Sequence, residues 1–356
     1  MCNFYEIDFL PVRTNKSGDA IAIRYSIGHE TLIHVVDGGF LETGEILREH
    51  IQKYYMPFDQ IDHVVVTHSD SDHTNGLRNI LESFKIGKLW MLRPWEYADK
   101  LLNAFYRFKY VENLKDRLKQ AYPSVAALED IANQRKIPIY APLQGARIGA
   151  FTVMAPTLDR YLNLIKTSEK TPDTNQNLTF QEMAKSAYET LQEFVLSPWG
   201  EEIFPSRNTS DENEMSVIQY AELCSKKILL TGDAGRNGLQ EAANYALSSG
   251  LKLPGIDIFQ VPHHGSRRNV SSEVLDNWLG KKLKYRPENE VVCAIISSAE
   301  EDKDHPRKSV IRALIHRGAS VFSTEGKPLC CRANTPTRYG WESPEAIDYP
   351  NEQEID

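Results

Sequence analysis

The chain has 356 residues, 41% of them hydrophobic and 25% charged, with a formal net charge of −8. That length suits one large α/β domain or two small ones, and the composition is that of an ordinary globular protein. It excludes a long apolar run of membrane-spanning type, and the net acidity weighs against tight autonomous nucleic-acid binding while leaving a local basic groove open.

In chain order, strands are predicted near residues 4–10, 19–26, 31–36 and 63–67, on runs of β-branched and apolar residues. A helix is expected from Thr43 to about Tyr55, and another from His73 to about Ser83, before a strand at Ile86–Met91. Residues 94–140 are rich in Tyr, Leu, Lys and Ala at helical spacing, with a break at Pro123, and predict two or three helices. A strand at 148–155 stops at Pro156. Leu158–Glu212 is polar, with one helical stretch at Gln181–Phe194 and a loop expected at Lys166–Asn177. Strands follow near 215–221, 226–231, 256–261, 291–297 and 320–323, with helices at Gly238–Ser248, Ser271–Leu279 and Pro306–Arg317. Residues 336–356 read as an irregular tail.

The most informative feature is how the strands end. Val64-Val65-Val66 runs into Thr67-His68-Ser69-Asp70-Ser71-Asp72-His73. Lys227–Leu230 ends in Thr231-Gly232-Asp233, Ile256–Val261 in Pro262-His263-His264-Gly265-Ser266, and Thr31–Val36 in Asp37-Gly38-Gly39. Layered α/β folds collect their functional loops at strand ends. Imidazole nitrogens and carboxylate oxygens held at a rigid edge are the donors a divalent metal takes. Any one of these stretches also suits a solvated turn with a helix cap.

Five cysteines (Cys2, Cys224, Cys293, Cys330 and Cys331) form a scattered set without a CxxC pair, so a cysteine zinc cluster is not expected. Cys224 and Cys293 read as buried small hydrophobes, and a reducing compartment is the expectation. The first residues lack a basic start followed by an apolar core, so no secretory signal is read and a cytoplasmic location is expected.

Taken together, these stretches resemble the metallo-β-lactamase-fold hydrolases. Within them the chain is most similar to the soluble hydrolase domain of the bacterial competence DNA-uptake channel proteins. The resemblance runs in order through Ser17-Gly18-Asp19-Ala20, Asp37-Gly38-Gly39, the histidine-aspartate run, Asn213-Glu214-Met215-Ser216-Val217, Thr231-Gly232-Asp233-Ala234, Val261–Ser266, His305-Pro306 and Ser323-Thr324-Glu325-Gly326. It implies a pseudo-symmetric αββα sandwich over residues 1–335, with helical insertions at about 94–140 and 158–212. Most of the superfamily has His-x-His-x-Asp-His; here Asp70 replaces the second histidine. No histidine occurs between His73 and His263, so the third metal motif is absent.

The resemblance implies one or two divalent ions, Zn²⁺ or Mn²⁺. One position would have few protein ligands: His68, Asp70 and a shared Asp233. Asp72, His73 and His264 would make a fuller one. Asp72 would also hold the attacking water or hydroxide, and His305 would donate a proton or touch phosphate. Ser266, Arg267 and Arg268, with His263, are candidate substrate contacts, and Asp37 is expected to support the ligand loops from behind. For His263 and His264, continuation of the strand would turn one imidazole away, and His264 is favoured for the metal. The basic residues Lys282, Lys284, Arg286, Lys303, Arg307 and Lys308, with Arg267 and Arg268, suit a phosphate-attracting rim as well as they suit plain surface.

The leading reading is a metal-dependent phosphodiesterase or nuclease acting on nucleic acid or another phosphodiester. Alternatives are a hydrolase of another ester or lactone, such as a phosphocholine ester, and a non-catalytic member of a multi-protein complex. The insertions offer a surface for a protein partner, and no membrane association is expected.

Overall fold

The structure, a computed structural model, describes residues 2–58, 60–171, 193–287 and 291–355. Two seven-stranded mixed sheets face each other. The first is built from β1 (Cys2–Phe9), β2 (Ala20–Ile27), β3 (Glu30–Gly38), β4 (Gln60–Val65), β5 (Lys85–Trp90), β6 (Ile139–Tyr140) and β15 (Leu329–Ala333), in the order β15-β1-β2-β3-β4-β5-β6. The second contains β7 (Arg147–Ile148), β8 (Phe151–Ala155), β10 (Ile218–Leu223), β11 (Lys226–Leu230), β12 (Ile258–Gln260), β13 (Val292–Ile296) and β14 (Ala319–Ser323), in the order β14-β13-β12-β11-β10-β8-β7. Each sheet is antiparallel on one side and parallel on the other: β3, β4 and β5 run parallel, as do β11 through β14.

The alternation of side chains across each strand makes three apolar layers. Ile7, Phe9, Ile21, Ile23, Val36 and Val65 point between the sheets, where they meet Phe151, Val153, Ile228, Leu230 and Ile295. Their sequence neighbours Ala20, Ala22, Val35, Val64 and Val66 pack outward under the Leu41–Tyr54 and Leu77–Ser83 helices. On the other outer face, Leu229, Phe259, Ala294 and Val321 lie under the Arg236–Ser248, Ser272–Leu279 and Lys308–Ile315 helices. The result is the expected αββα sandwich.

The first insertion forms the expected helices, chiefly Val111–Ala121 and Pro123–Arg135, with Tyr122 between them. Leu114, Leu118, Val125 and Leu128 join the outer core of the first sheet, so this insertion thickens the helical layer. In the second insertion, Leu158–Thr167 is a helix and therefore includes the start of the stretch expected as a loop. The helix expected at Gln181–Phe194 lies outside the described residues up to 192. Phe194 itself belongs to β9 (Phe194–Leu196), which pairs with β16 (Glu352–Glu354). The tail is without regular structure from 341 to 350, as expected, but it ends docked. Glu354 accepts hydrogen bonds from the Lys308 and Ser309 amides and caps that helix.

Two expectations need correction. β15 was not foreseen, because Leu329-Cys330-Cys331-Arg332-Ala333 has no β-branched run; it forms a strand because it pairs with the edge of β1. Cys224 is not an unpaired thiol: it forms a disulfide with Cys2, 222 residues away. The fold brings the first strand of one sheet against the β10–β11 turn of the other, which spacing could not show. The argument for a reducing compartment from unpaired cysteines falls with it. No helix among the described residues is long and apolar enough to cross a membrane.

Candidate metal centre

The carboxyl ends of the parallel strands of both sheets converge on one point. Past β4, the Thr67 amide and hydroxyl both donate to Asp37, at 2.8 and 2.6 Å, and the Thr67 carbonyl accepts from the Val217 amide, just before β10 of the second sheet. This ties the histidine-aspartate loop to the end of β3 and to the facing sheet. The loop then enters the short Ser71–Thr74 helix, which packs unusually close to its neighbours. A Cβ on Gly76 would fall 1.9 Å from the Gly38 carbonyl oxygen, and one on Gly18 would fall 2.5 Å from the Asp72 carbonyl oxygen. Glycine is required at both positions for that approach.

Asp233, at the end of β11, is the hub. Its buried carboxylate lies 3.2 Å from His73 Nε2, 3.7 Å from His263 Nε2, and 3.9 Å from both His68 Nε2 and His264 Nε2. Asp72 completes one side, with Oδ2 3.7 Å from His264 Nε2 and 3.9 Å from His73 Nε2. Asp70 flanks the other, 3.7 Å from His68 Nε2. The imidazoles are aimed from behind. His73 Nδ1 donates to Asp37 at 2.7 Å and His264 Nδ1 to the Ser297 carbonyl at 2.7 Å; His68 Nδ1 lies 3.1 Å from the Thr67 hydroxyl. Asp37 thus lies behind the loop, bonded to both His73 and Thr67.

Sequence reasoning left Asp19 out of the cluster. It is buried, with Oδ2 3.8 Å from His73 Nδ1, and it belongs to two of the three-donor groups that close around a common point: Asp19, Asp37, His73 and Asp19, Asp233, His264. The other two groups are His68, His73, Asp233 and Asp72, His73, His264. The Ser17-Gly18-Asp19-Ala20 stretch was visible in the sequence, but only the contact between Gly18 and Asp72 shows why it matters.

The two adjacent histidines behave differently from the alternation argument. β12 ends at Gln260, and His263 and His264 both adopt left-handed backbone, at φ 48° and 55°. Such positions cost about 1–3 kcal/mol each. Both imidazoles consequently face Asp233. His263 Nδ1 is held between Asn213 Nδ2, at 2.9 Å, and Asn269 Oδ1, at 3.0 Å.

Electrostatics follow from this crowding. Burial opposes charge throughout, but the surrounding imidazoles hold the Asp233 carboxyl well below the usual range. Burial lowers His264, and Asp233 and Asp72 more than reverse it, raising the ring to about 9. His73 is likewise raised, against its burial, by Asp233 and Asp37. For His263 burial wins and the ring falls to about 4.

Five buried atoms that point into the cluster have no hydrogen-bond partner: Asp19 Oδ1, His68 Nε2, His73 Nε2, Asp233 Oδ1 and His264 Nε2. Each such orphan costs roughly 1–3 kcal/mol. Three-donor groups drawn from these residues close within reach of one divalent cation, so the residues present fit a metal of mixed nitrogen and oxygen preference.

Beside the cluster opens a cleft of about 780 Å³, lined in part by Asp72, His263, His264 and His305. The His305 ring stacks on His263 with centroids 5.6 Å apart, and its Nδ1 lies 3.3 Å from Asp302. Ser266, Arg267 and Arg268 do not line this cleft. Arg267 is buried and donates to the Glu354 carbonyl, because three successive left-handed residues, 263 to 265, turn the chain away from the cluster. The basic residues that suited either a rim or plain surface divide between the two. Lys303 lines the cleft, whereas Arg307 pairs with Asp304 and Lys308 with Glu352. The rim also carries Glu300, Glu301, Asp302 and Asp304.

Comparison with known proteins bears on the N-terminal part of this arrangement. A family model described as the metallo-beta-lactamase superfamily matches residues 16–137. ComE operon protein 3 of Bacillus subtilis (strain 168) is 27% identical over 138 residues, 38% of this chain and 15% of that protein's length. A solved structure of a diphosphatase from the PhnP family aligns over 93% of this chain and 99% of its own, at 10% identity and a TM-score of 0.40. A beta-lactamase domain protein from Burkholderia ambifaria aligns over 72% of this chain and 64% of its own, at 15% identity and a TM-score of 0.32. The residues matched by the superfamily model contain Asp19, Asp37 and the whole histidine-aspartate loop, and the chain spans about a seventh of the length of the curated relative it matches.

Proposed function

We propose that the Asp233 cluster holds a divalent cation and that the chain is a metal-dependent hydrolase of phosphodiesters. The observation that carries this reading is the convergence of five unpartnered buried donor atoms beside an open cleft. Asp72, His73, Asp233 and His264 would hold the ion, with Asp19 as a further oxygen donor. When bound, such an ion acts as a Lewis acid and lowers the pKa of water to about 7. Asp72 reaches both the cluster and the cleft, so its carboxylate is placed to orient an attacking water. His305, stacked on His263 and held by Asp302, is placed to give a proton to the leaving oxygen. A donor set rich in carboxylates favours harder ions, Mn²⁺ or Mg²⁺ as well as Zn²⁺, and these suit phosphoryl oxygens.

A second reading has one observation in its favour. A nucleic-acid strand entering the cleft would meet Glu300, Glu301, Asp302 and Asp304 beside Lys16 and Lys303. Polyanions are held by excess positive charge. That rim therefore favours a small ester over a polymer. The test is turnover by metal-stripped and Mn²⁺- or Zn²⁺-reconstituted protein on bis(p-nitrophenyl) phosphate, single-stranded DNA, RNA and a lactone. Metal-dependent cleavage of a phosphodiester supports the first reading. Turnover of the lactone alone replaces it with the second.

A further inference from the structure

The third metal motif missing from the sequence has a counterpart in space. Lys170, from the second insertion, donates from its ammonium to Asp70 Oδ1, while Asp70 Oδ2 faces His68. The lysine comes from a locked turn, not from a loose surface stretch. Its own amide donates to the Ser168 hydroxyl at 3.1 Å. That hydroxyl is buried, donates to Glu212 and accepts from the Tyr122 phenol. Thr171, also buried, bonds back to the carbonyls of Ile165 and Ser168. Among the described residues, the four groups able to close around an ion all omit Asp70, whereas His68 appears in one with His73 and Asp233.

We infer that the Lys170 ammonium serves as a fixed cation at the His68–Asp70 side and confines the centre to one divalent ion. This rests on the metal reading above. Asp70 carries one negative charge, and an ammonium in direct contact with Oδ1 neutralises it, so the Oδ2 that faces His68 has little charge left to hold a second ion. With no histidine from residues 74 to 262, that side has nothing to offer in exchange. Lys170 is a specificity-determining residue for metal number.

The experiment is calorimetric titration of metal-stripped protein with Mn²⁺, with elemental analysis after dialysis, on wild type, Lys170→Met, Lys170→Arg and the Lys170→Met, Asp70→Asn double variant. Thermal melts establish that each is folded. The expected result is one Mn²⁺ per chain in wild type and in Lys170→Arg, two in Lys170→Met, and one again in the double variant. Two ions in wild type, or one in Lys170→Met, overturns the inference and leaves the metal reading standing. No ion in any of the folded proteins overturns both.

Discussion

The two sides of the cluster start from one loop and end differently. On the inner side, His73 and His264 are each aimed by a hydrogen bond on Nδ1, and Asp19, Asp72 and Asp233 bring carboxylates against their free nitrogens. On the outer side, His68 is aimed in the same way by Thr67, but its carboxylate neighbour Asp70 is already paired with Lys170. Donor residues alone do not make an ion site. What distinguishes the sides is the carboxylate: Asp19 and Asp233 keep unsatisfied oxygens on the inner side, whereas on the outer side His68 Nε2 is unsatisfied beside an Asp70 to which the protein itself supplies a cation.

The sharpest way to break this comparison is to remove what the sides share. Asp233→Asn leaves the volume intact but takes away the negative charge facing four imidazoles. Elemental analysis should find the bound ion lost, and phosphodiester turnover should fall to background. Retention of wild-type metal would mean that Asp233 is not the hub. The next largest effect is expected at His305, which stacks on His263 but belongs to none of the three-donor groups. His305→Ala should keep its metal and lose roughly 10²–10⁴-fold in kcat, the range for a general acid. Loss of metal in that variant would move His305 from proton transfer into the ion site.

Asp37→Asn tests the inner side from behind. It weakens the aim of His73 and loosens Thr67. Changes to such supporting partners typically cost about 10–100-fold in metal affinity, measurable by competition with a chelator. Unchanged affinity would show that His73 needs no orientation. The pH dependence has a defined sign. In the ion-free protein burial lowers His264, but Asp233 and Asp72 raise it to about 9. The ring is therefore protonated at neutral pH, and an ion must displace that proton. Apparent affinity should rise with pH up to about 9, by up to about tenfold per unit, with proton release visible as a dependence on buffer ionisation enthalpy. A flat profile would exclude His264 as a donor. The smallest effect belongs to the rim. Glu300→Gln with Glu301→Gln should raise kcat/KM on single-stranded DNA a few-fold at low salt and leave bis(p-nitrophenyl) phosphate unchanged, since screened surface charge acts mainly on encounter. Equal effects on both substrates would show that the rim acts on chemistry instead.

Much of this was legible from the residues. Strands such as Ile21–Tyr25 and Ile33–Val36 were recognisable because apolar and β-branched residues run through them, both faces being buried between layers. The loops carrying His68 to His73, Asp233 and His264 stood out because imidazoles and carboxylates cluster just past strand ends. Asp19 was obscured: one aspartate beside a glycine reads as a turn, and only the packing of Gly18 on Asp72 brings it inward. Lys170 was hidden by a separation of 100 residues from Asp70. Arg267 misled for the opposite reason. Its nearness to His264 in sequence suggested nearness to substrate, but left-handed backbone at residues 263 to 265 sends it toward Glu354. Sequence patterns report periodic burial well; they do not report the direction of a chain after a run of unusual dihedrals, nor contacts made across an insertion.

The most direct test is a crystal of the wild-type protein grown with Mn²⁺ and measured for anomalous scattering. The account predicts a single anomalous peak within bonding distance of Asp72, His73, Asp233 and His264, with Lys170 still on Asp70. A peak between His68 and Asp70 with Lys170 displaced, or no peak at the cluster, would contradict it.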